Sequence, residues 1–279
     1  MCGGILKNEP MKKYIIANWK NHPDTLAEAK QILDATDEYL GSLNEREMFP
    51  NLIFCPPFEF VEEVSKILQT SHLEHYSGLG AQDIFLENNG SVLSNLGVRH
   101  VIVGHSDRRW RIGETDEVVN KKLKAVLKDG MIPIVCVGEK VRDEKFKEFL
   151  EQQVLATFDG LTADELGRCL IAYEPVWAIS TNPDAHPDTP DSALESIAVI
   201  GETLTVNGHK GHCLASHGCC KLETKNLPLF LYGGSVTSKN VGDFVSQKEI
   251  DGVLVGSASV NKEEFLKILR YFAQNKTPF

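Results

Sequence analysis

Four polar side chains stand just beyond short apolar runs in this chain. Asn18 and Lys20 follow residues 14–17, His105 follows 101–103, and Glu174 follows 170–173. Two later runs lead into turns of small residues, Gly233-Gly234-Ser235 after 229–232 and Gly256-Ser257 after 253–255. A carboxylate, an imidazole and an ammonium beside turns that offer backbone N–H groups to an anion suit proton abstraction next to a carbonyl. The carboxylate takes the proton, while imidazole and ammonium stabilise the oxygen charge that develops. Each residue alone has a plainer reading: a Glu after a strand is often a paired structural carboxylate, and a single His is more often structural than catalytic. The convergence of all of them carries the chemical reading.

Convergence requires a scaffold that brings strand ends together. Eight short runs, apolar on successive residues, recur at 14–17, 52–55, 79–81, 101–103, 132–137, 170–173, 229–232 and 253–255. That pattern fits strands buried on both faces, as in a parallel sheet. Helical periodicity fills most gaps, with one stripe at Phe60, Val61, Val64, Ile67 and Leu68 and another at Phe146, Phe149, Leu150 and Val154. Thr25 with Glu28 and Thr162 with Glu165 read as capping boxes, and Pro190 suits a first helical position. Alternating strands and helices predict an α/β fold, a closed (β/α)8 barrel of one domain, in which reactive residues sit at the C-terminal strand ends. An open doubly wound sheet is the alternative, but GxGxxG is absent after the first run.

The composition narrows the function classes. A formal net charge of -10 over 279 residues argues against general binding to a phosphate backbone, so no nucleic-acid partner is expected. No apolar run has the roughly 20 residues of a membrane span. The first ten residues, 1–10, lack the apolar core of a signal peptide and read as an extension before Met11, leaving 11–279 as the barrel domain. Seven scattered cysteines read as reduced thiols, which places the protein in the cytoplasm.

Several segments closely resemble the triosephosphate isomerase family: Asn18-Trp19-Lys20, Val103-Gly104-His105-Ser106-Asp107-Arg108-Arg109, Ala172-Tyr173-Glu174-Pro175-Val176-Trp177, Tyr232-Gly233-Gly234-Ser235-Val236 and Asp251-Gly252-Val253-Leu254-Val255-Gly256. Shorter matches, Cys55-Pro56-Pro57, Gly80-Ala81-Gln82-Asp83 and Cys136-Val137-Gly138-Glu139, fill the intervals in the same order. The resemblance implies a TIM barrel that interconverts dihydroxyacetone phosphate and D-glyceraldehyde 3-phosphate through an enediolate, in glycolysis and gluconeogenesis. As is well known for this enzyme, it implies that Glu174 shuttles the proton and that His105 acts as a neutral electrophile. Lys20 would offset substrate and enediolate charge, and Asn18 would support the oxyanion site. The phosphate would lie against backbone amides of Ser180, Ser235, Gly256 and Ser257, under a lid at 175–185. Glu114 matches a position that supports the site from behind, and no metal or organic cofactor is implied. The implied assembly is a homodimer.

The chain departs from the family pattern at four places. Asp107 stands where glutamate is usual, which predicts a rebuilt contact with Lys20 and slower turnover. The lid tip, Ser180-Thr181-Asn182-Pro183-Asp184, replaces a glycine-rich one and is followed by extra residues before Pro190. The loop after the third strand is shorter by about eight residues, with Asn88-Asn89-Gly90 reading as a tight turn, which weakens the homodimer expectation in favour of a monomer or a different dimer. A segment at 207–226 holds His209, His212, Cys213, His217, Cys219 and Cys220, whose spacing admits a zinc site but lacks a paired signature. Two other functions stay open from the residues: isomerisation of a different small phosphorylated sugar, and a non-catalytic scaffold that binds through the 207–226 segment.

Overall fold

The computed structural model describes residues 12–43, 49–85, 90–180, 182, 184–207 and 228–275. Eight strands, β1 (Tyr14–Asn18), β2 (Asn51–Cys55), β3 (Ser77–Ala81), β4 (Val98–Val103), β5 (Ile132–Val137), β6 (Leu170–Tyr173), β7 (Leu229–Tyr232) and β8 (Gly252–Val255), pair in chain order and close on themselves. Every pairing is parallel, including β1 with β8, where Ile15 aligns with Val253. A closed sheet has no free edge, and its strands are buried on both faces. Side chains alternate between those faces. Ile16, Ile53, Ile102, Ile134, Cys136, Ala172, Leu231 and Leu254 fill the barrel, whereas Ile15, Ala17, Phe54, Val101, Val135, Ile171 and Val253 join the core shared with the helices.

The helices between and around the strands are α1 (Leu26–Gly41), α2 (Val61–Thr70), α3 (Gly90–Asn95), α4 (Ser106–Arg111), α5 (Asp116–Lys128), α6 (Phe146–Thr157), α7 (Ala163–Gly167), α8 (Pro190–Asn207), α9 (Val241–Val245) and α10 (Lys262–Gln274). Both expected capping boxes form. The Glu28 N–H donates to Thr25 Oγ1 at 3.3 Å while the Thr25 N–H donates to Glu28, and Thr162 with Glu165 repeats the arrangement. Each such cap contributes about 1 kcal/mol by satisfying otherwise open amides. Pro190 opens α8, as expected.

Two expectations are corrected. Phe149 is not part of the buried stripe of α6; it is exposed and stacks on Trp110 at 6.2 Å between ring centroids. Gly90 is not the end of a tight turn but the first residue of α3, and Asn88 and Asn89 lie outside the described residues. Residues 1–10, Met11 and 208–226 of the His/Cys-rich segment also lie outside them. No helix among the described residues is long and apolar enough to cross a membrane.

Candidate active site

The sequence after β1 sets the first site residue in an unusual backbone conformation. Lys20 has φ +53°, a region that costs a non-glycine residue on the order of 1–3 kcal/mol. Its neighbours hold it there: the Lys20 N–H donates to Asn18 Oδ1 at 3.1 Å, and Gln82 Nε2 donates to the Lys20 carbonyl at 2.7 Å. Gln82 also donates to the Cys55 carbonyl at 3.0 Å, so the ends of β1, β2 and β3 are joined. Asn18 itself is buried.

His105 occupies the N-cap of α4. Its Nδ1 accepts the Asp107 N–H at 3.2 Å, and a ring nitrogen that accepts carries no hydrogen. The remaining proton of the uncharged ring is therefore on Nε2, which lies 3.1 Å from Glu174 Oε1. Glu174 is 3% exposed and also accepts the Ser106 N–H at 3.0 Å on Oε2. Behind it, burial first and the carboxylate's charge second push the Cys136 thiol well up, so the sulfur stays protonated. The turn after β7 passes so close that a Cβ on Gly233 would stand 2.9 Å from Glu174 Cγ. Only glycine admits that approach.

The opposite side of the cleft is assembled from the last three strand ends. Ser180, Ser235, Gly256 and Ser257 line one cleft with Asn18, Lys20, His105, Asp107 and Glu174, a cavity of about 660 Å³. The Ser180 N–H donates to Ser235 Oγ at 2.7 Å, and Ser235 Oγ donates to the Ala178 carbonyl at 2.8 Å. A Cβ on Gly256 would lie 3.5 Å from Lys20 Cε, so the lysine stem passes directly beside the eighth-strand turn.

Asp107 keeps the carboxylate beside Lys20, with Oδ2 3.5 Å from Nζ, and its other oxygen is 3.1 Å from Arg111 Nε. Glu114 is not brought to the cleft. It is buried in a separate network where Lys122 bonds both Glu114 and Asp83, and Arg108 reaches Asp83 at 2.8 Å. Burial outweighs those cations at Asp83 and raises its carboxyl above the ordinary value.

Residues beyond the expected set also shape the site. Ser106 parks the carboxylate of Glu174, and Gln82 clamps Lys20. Glu139, just past β5, accepts from Tyr173 Oη at 2.8 Å and from Trp177 Nε1 at 2.9 Å. Gln82 and Glu139 obey the same positional signal as His105 and Glu174, a polar residue immediately beyond an apolar run. Among the described residues no group of three or more His, Cys, Asp or Glu side chains is placed to hold a metal ion.

A buried carboxylate facing an imidazole N–H, with a lysine and the small-residue turns after β7 and β8 lining the same cleft, can move a proton between adjacent carbons of a small carbonyl compound. Comparison with known proteins agrees. The family model described as triosephosphate isomerase matches residues 13–272. Similar proteins named triosephosphate isomerase include one from Dehalococcoides mccartyi (strain CBDB1), 38% identical over 95% of this chain and 100% of its own length. Another, from Thermoanaerobacter sp. (strain X514), is 37% identical over 94% and 100%. A third, from Roseiflexus castenholzii (strain DSM 13941 / HLO8), is 35% identical over 93% and 97%.

Proposed function

The chain belongs to the triosephosphate isomerase family, and from that premise we propose how its own residues interconvert dihydroxyacetone phosphate and D-glyceraldehyde 3-phosphate. The substrate phosphate lies against the N–H groups of Ser180, Ser235, Gly256 and Ser257, with the Lys20 ammonium offsetting its charge. Binding draws Glu174 away from the Ser106 N–H toward the substrate. Glu174 removes a proton from C1 of the ketone, and the C–H electron pair forms the C1–C2 double bond of an enediolate. The Nε2–H of His105, assisted by Asn18 and Lys20, stabilises the oxygen that gains charge. Return of the proton from Glu174 to C2, with proton exchange between the two oxygens at His105, gives the aldehyde. Residues 175–185 close as a lid that keeps water from the enediolate.

The observation that carries this reading is the contact between Glu174 Oε1 and His105 Nε2 at 3.1 Å inside a cleft that also holds Lys20. A barrel domain at 11–279 acting as a homodimer in the cytoplasm completes the proposal. Phe58, Phe85 and Ile112, which follow three successive strands, are exposed, and a second copy of the chain would cover them. Cys55, Cys136 and Cys169 are free and buried, in keeping with a reducing compartment.

Steady-state conversion of glyceraldehyde 3-phosphate by wild type and Glu174→Gln, at a series of protein concentrations, tests the reading. Wild-type turnover that falls at least ~10³-fold in the variant is expected, as is a loss of specific activity on dilution. Equal turnover by the two proteins would refute the role of Glu174, and dilution-independent activity would refute the dimer.

A further inference from the structure

The two stems of the lid meet at one guanidinium. Trp177, in the 3-10 turn Val176–Ala178 at the lid's start, donates through Nε1 to Glu139 Oε1 at 2.9 Å, and the Val176 N–H donates to the Glu139 carbonyl at 3.0 Å. Arg142 Nη1 donates to that same Glu139 oxygen at 3.1 Å. On its other side Arg142 reaches the first turns of α8, which begins four residues beyond the lid. Nη1 donates to Ser196 Oγ at 2.6 Å, and Nη2 donates to Glu195 Oε2 at 2.8 Å and to the Ser192 carbonyl at 3.4 Å.

The guanidinium is itself fixed. It lies over the Phe146 ring at 3.5 Å from its centroid, which leaves the planar fork aimed in one direction. Glu139 is almost wholly buried, and its second oxygen has no hydrogen-bond partner among the described residues. Arg142 is the cation that neutralises it. Arg142 therefore pairs with Glu139, which holds the lid's first turn, and with Glu195 on α8, so one positive charge serves carboxylates on both sides of the lid.

We propose that Arg142 is a positioning residue that keeps the two stems of the lid in register, and so sets how well the closed site retains the phosphate of the enediolate. The inference rests on the isomerase reading above. An enediolate left under a poorly seated lid has a second route. Its C–O bond to phosphate breaks, the bonding pair leaves with inorganic phosphate, and the resulting enol takes up a proton to give methylglyoxal. No oxidant or second reactant is needed.

The test compares wild type, Arg142→Gln and the double variant Glu195→Gln/Ser196→Ala, which removes only the α8 side of the bracket. For each, kcat, KM and the fraction of triose phosphate released as inorganic phosphate are measured, with thermal unfolding alongside. Arg142→Gln is expected to lose about 10-fold in kcat, because small misplacements at a closing site are costly, and to raise the phosphate-loss fraction about 10-fold. The double variant is expected to raise that fraction with little change in unfolding temperature. A folded Arg142→Gln that keeps the wild-type fraction would overturn the proposal. Were Arg142→Gln to fail to fold, the double variant decides, and an unchanged fraction there overturns it equally. Absence of triose turnover in wild type would instead defeat the isomerase reading.

Discussion

The base of the barrel holds a histidine that should make the protein acid-sensitive. His100 points inward from β4, packs edge-on to Tyr14 with ring centroids 6.3 Å apart, and has both ring nitrogens buried without a hydrogen-bond partner among the described residues. Burial lowers its pKa from 6.5 to about 4, because removal from solvent disfavours the charged imidazole. Between about pH 6.5 and 4 the unfolded chain therefore carries a proton that the folded chain refuses. Stability from this group is complete above pH 6.5 and is lost as the pH falls. A gap of about 2.5 pH units, at about 1.4 kcal/mol per unit, is worth about 3.5 kcal/mol in full, of which about 3 kcal/mol is lost between pH 6.5 and 4. The perturbation is acidification, and His100→Phe is the control because it keeps a ring and removes the titration. Urea unfolding of both proteins at several pH values isolates the effect, since the carboxylates titrate alike in each. The wild type should lose about 3 kcal/mol more than the variant between pH 6.5 and 4. Parallel stability curves for the two proteins would refute the reasoning.

Three other predictions concern the site and its support. Asp107→Glu should shorten the 3.5 Å approach to Lys20 and raise kcat/KM a few-fold, whereas Asp107→Ala should lower it about 10-fold; steady-state kinetics at low ionic strength read both. In Gly233→Ala the added methyl meets Glu174 Cγ at 2.9 Å, so kcat should fall about 100-fold while binding of phosphoglycolate changes less. Lys122→Met leaves the Asp83 and Glu114 carboxylates buried with less positive charge, and urea unfolding should show a loss of about 3–5 kcal/mol.

Much of the scaffold is written locally. Strands buried on both faces must be apolar at successive residues, so 132–137, 170–173 and 229–232 coincide with β5, β6 and β7. The polar residue beyond each run then marks the barrel mouth, which is how Lys20, His105 and Glu174 are found without a structure. What sequence order does not carry is contact between distant segments. Gln82 reaches the Lys20 carbonyl across 62 positions, and Arg142 reaches Ser196 across 54. Neither partner has a pattern that names the other. Glu114 shows the same limit, since its place nine residues after His105 does not name its partner. That partner is Lys122, beside which Glu114 is buried behind the cleft. Phe149 fits a helical stripe by spacing, yet lies at its margin and finds Trp110 on the surface.

The central claim is that one carboxylate carries the proton between two carbons. Conversion of dihydroxyacetone phosphate in D2O, followed by NMR with wild type and Glu174→Gln, tests it most directly. Wild type should form glyceraldehyde 3-phosphate whose C2 carries hydrogen returned from C1 together with deuterium that exchanged onto the Glu174 carboxyl, and Glu174→Gln should form neither over the same interval while still binding phosphoglycolate. Deuterium entering C2 at the wild-type rate in Glu174→Gln would contradict the account.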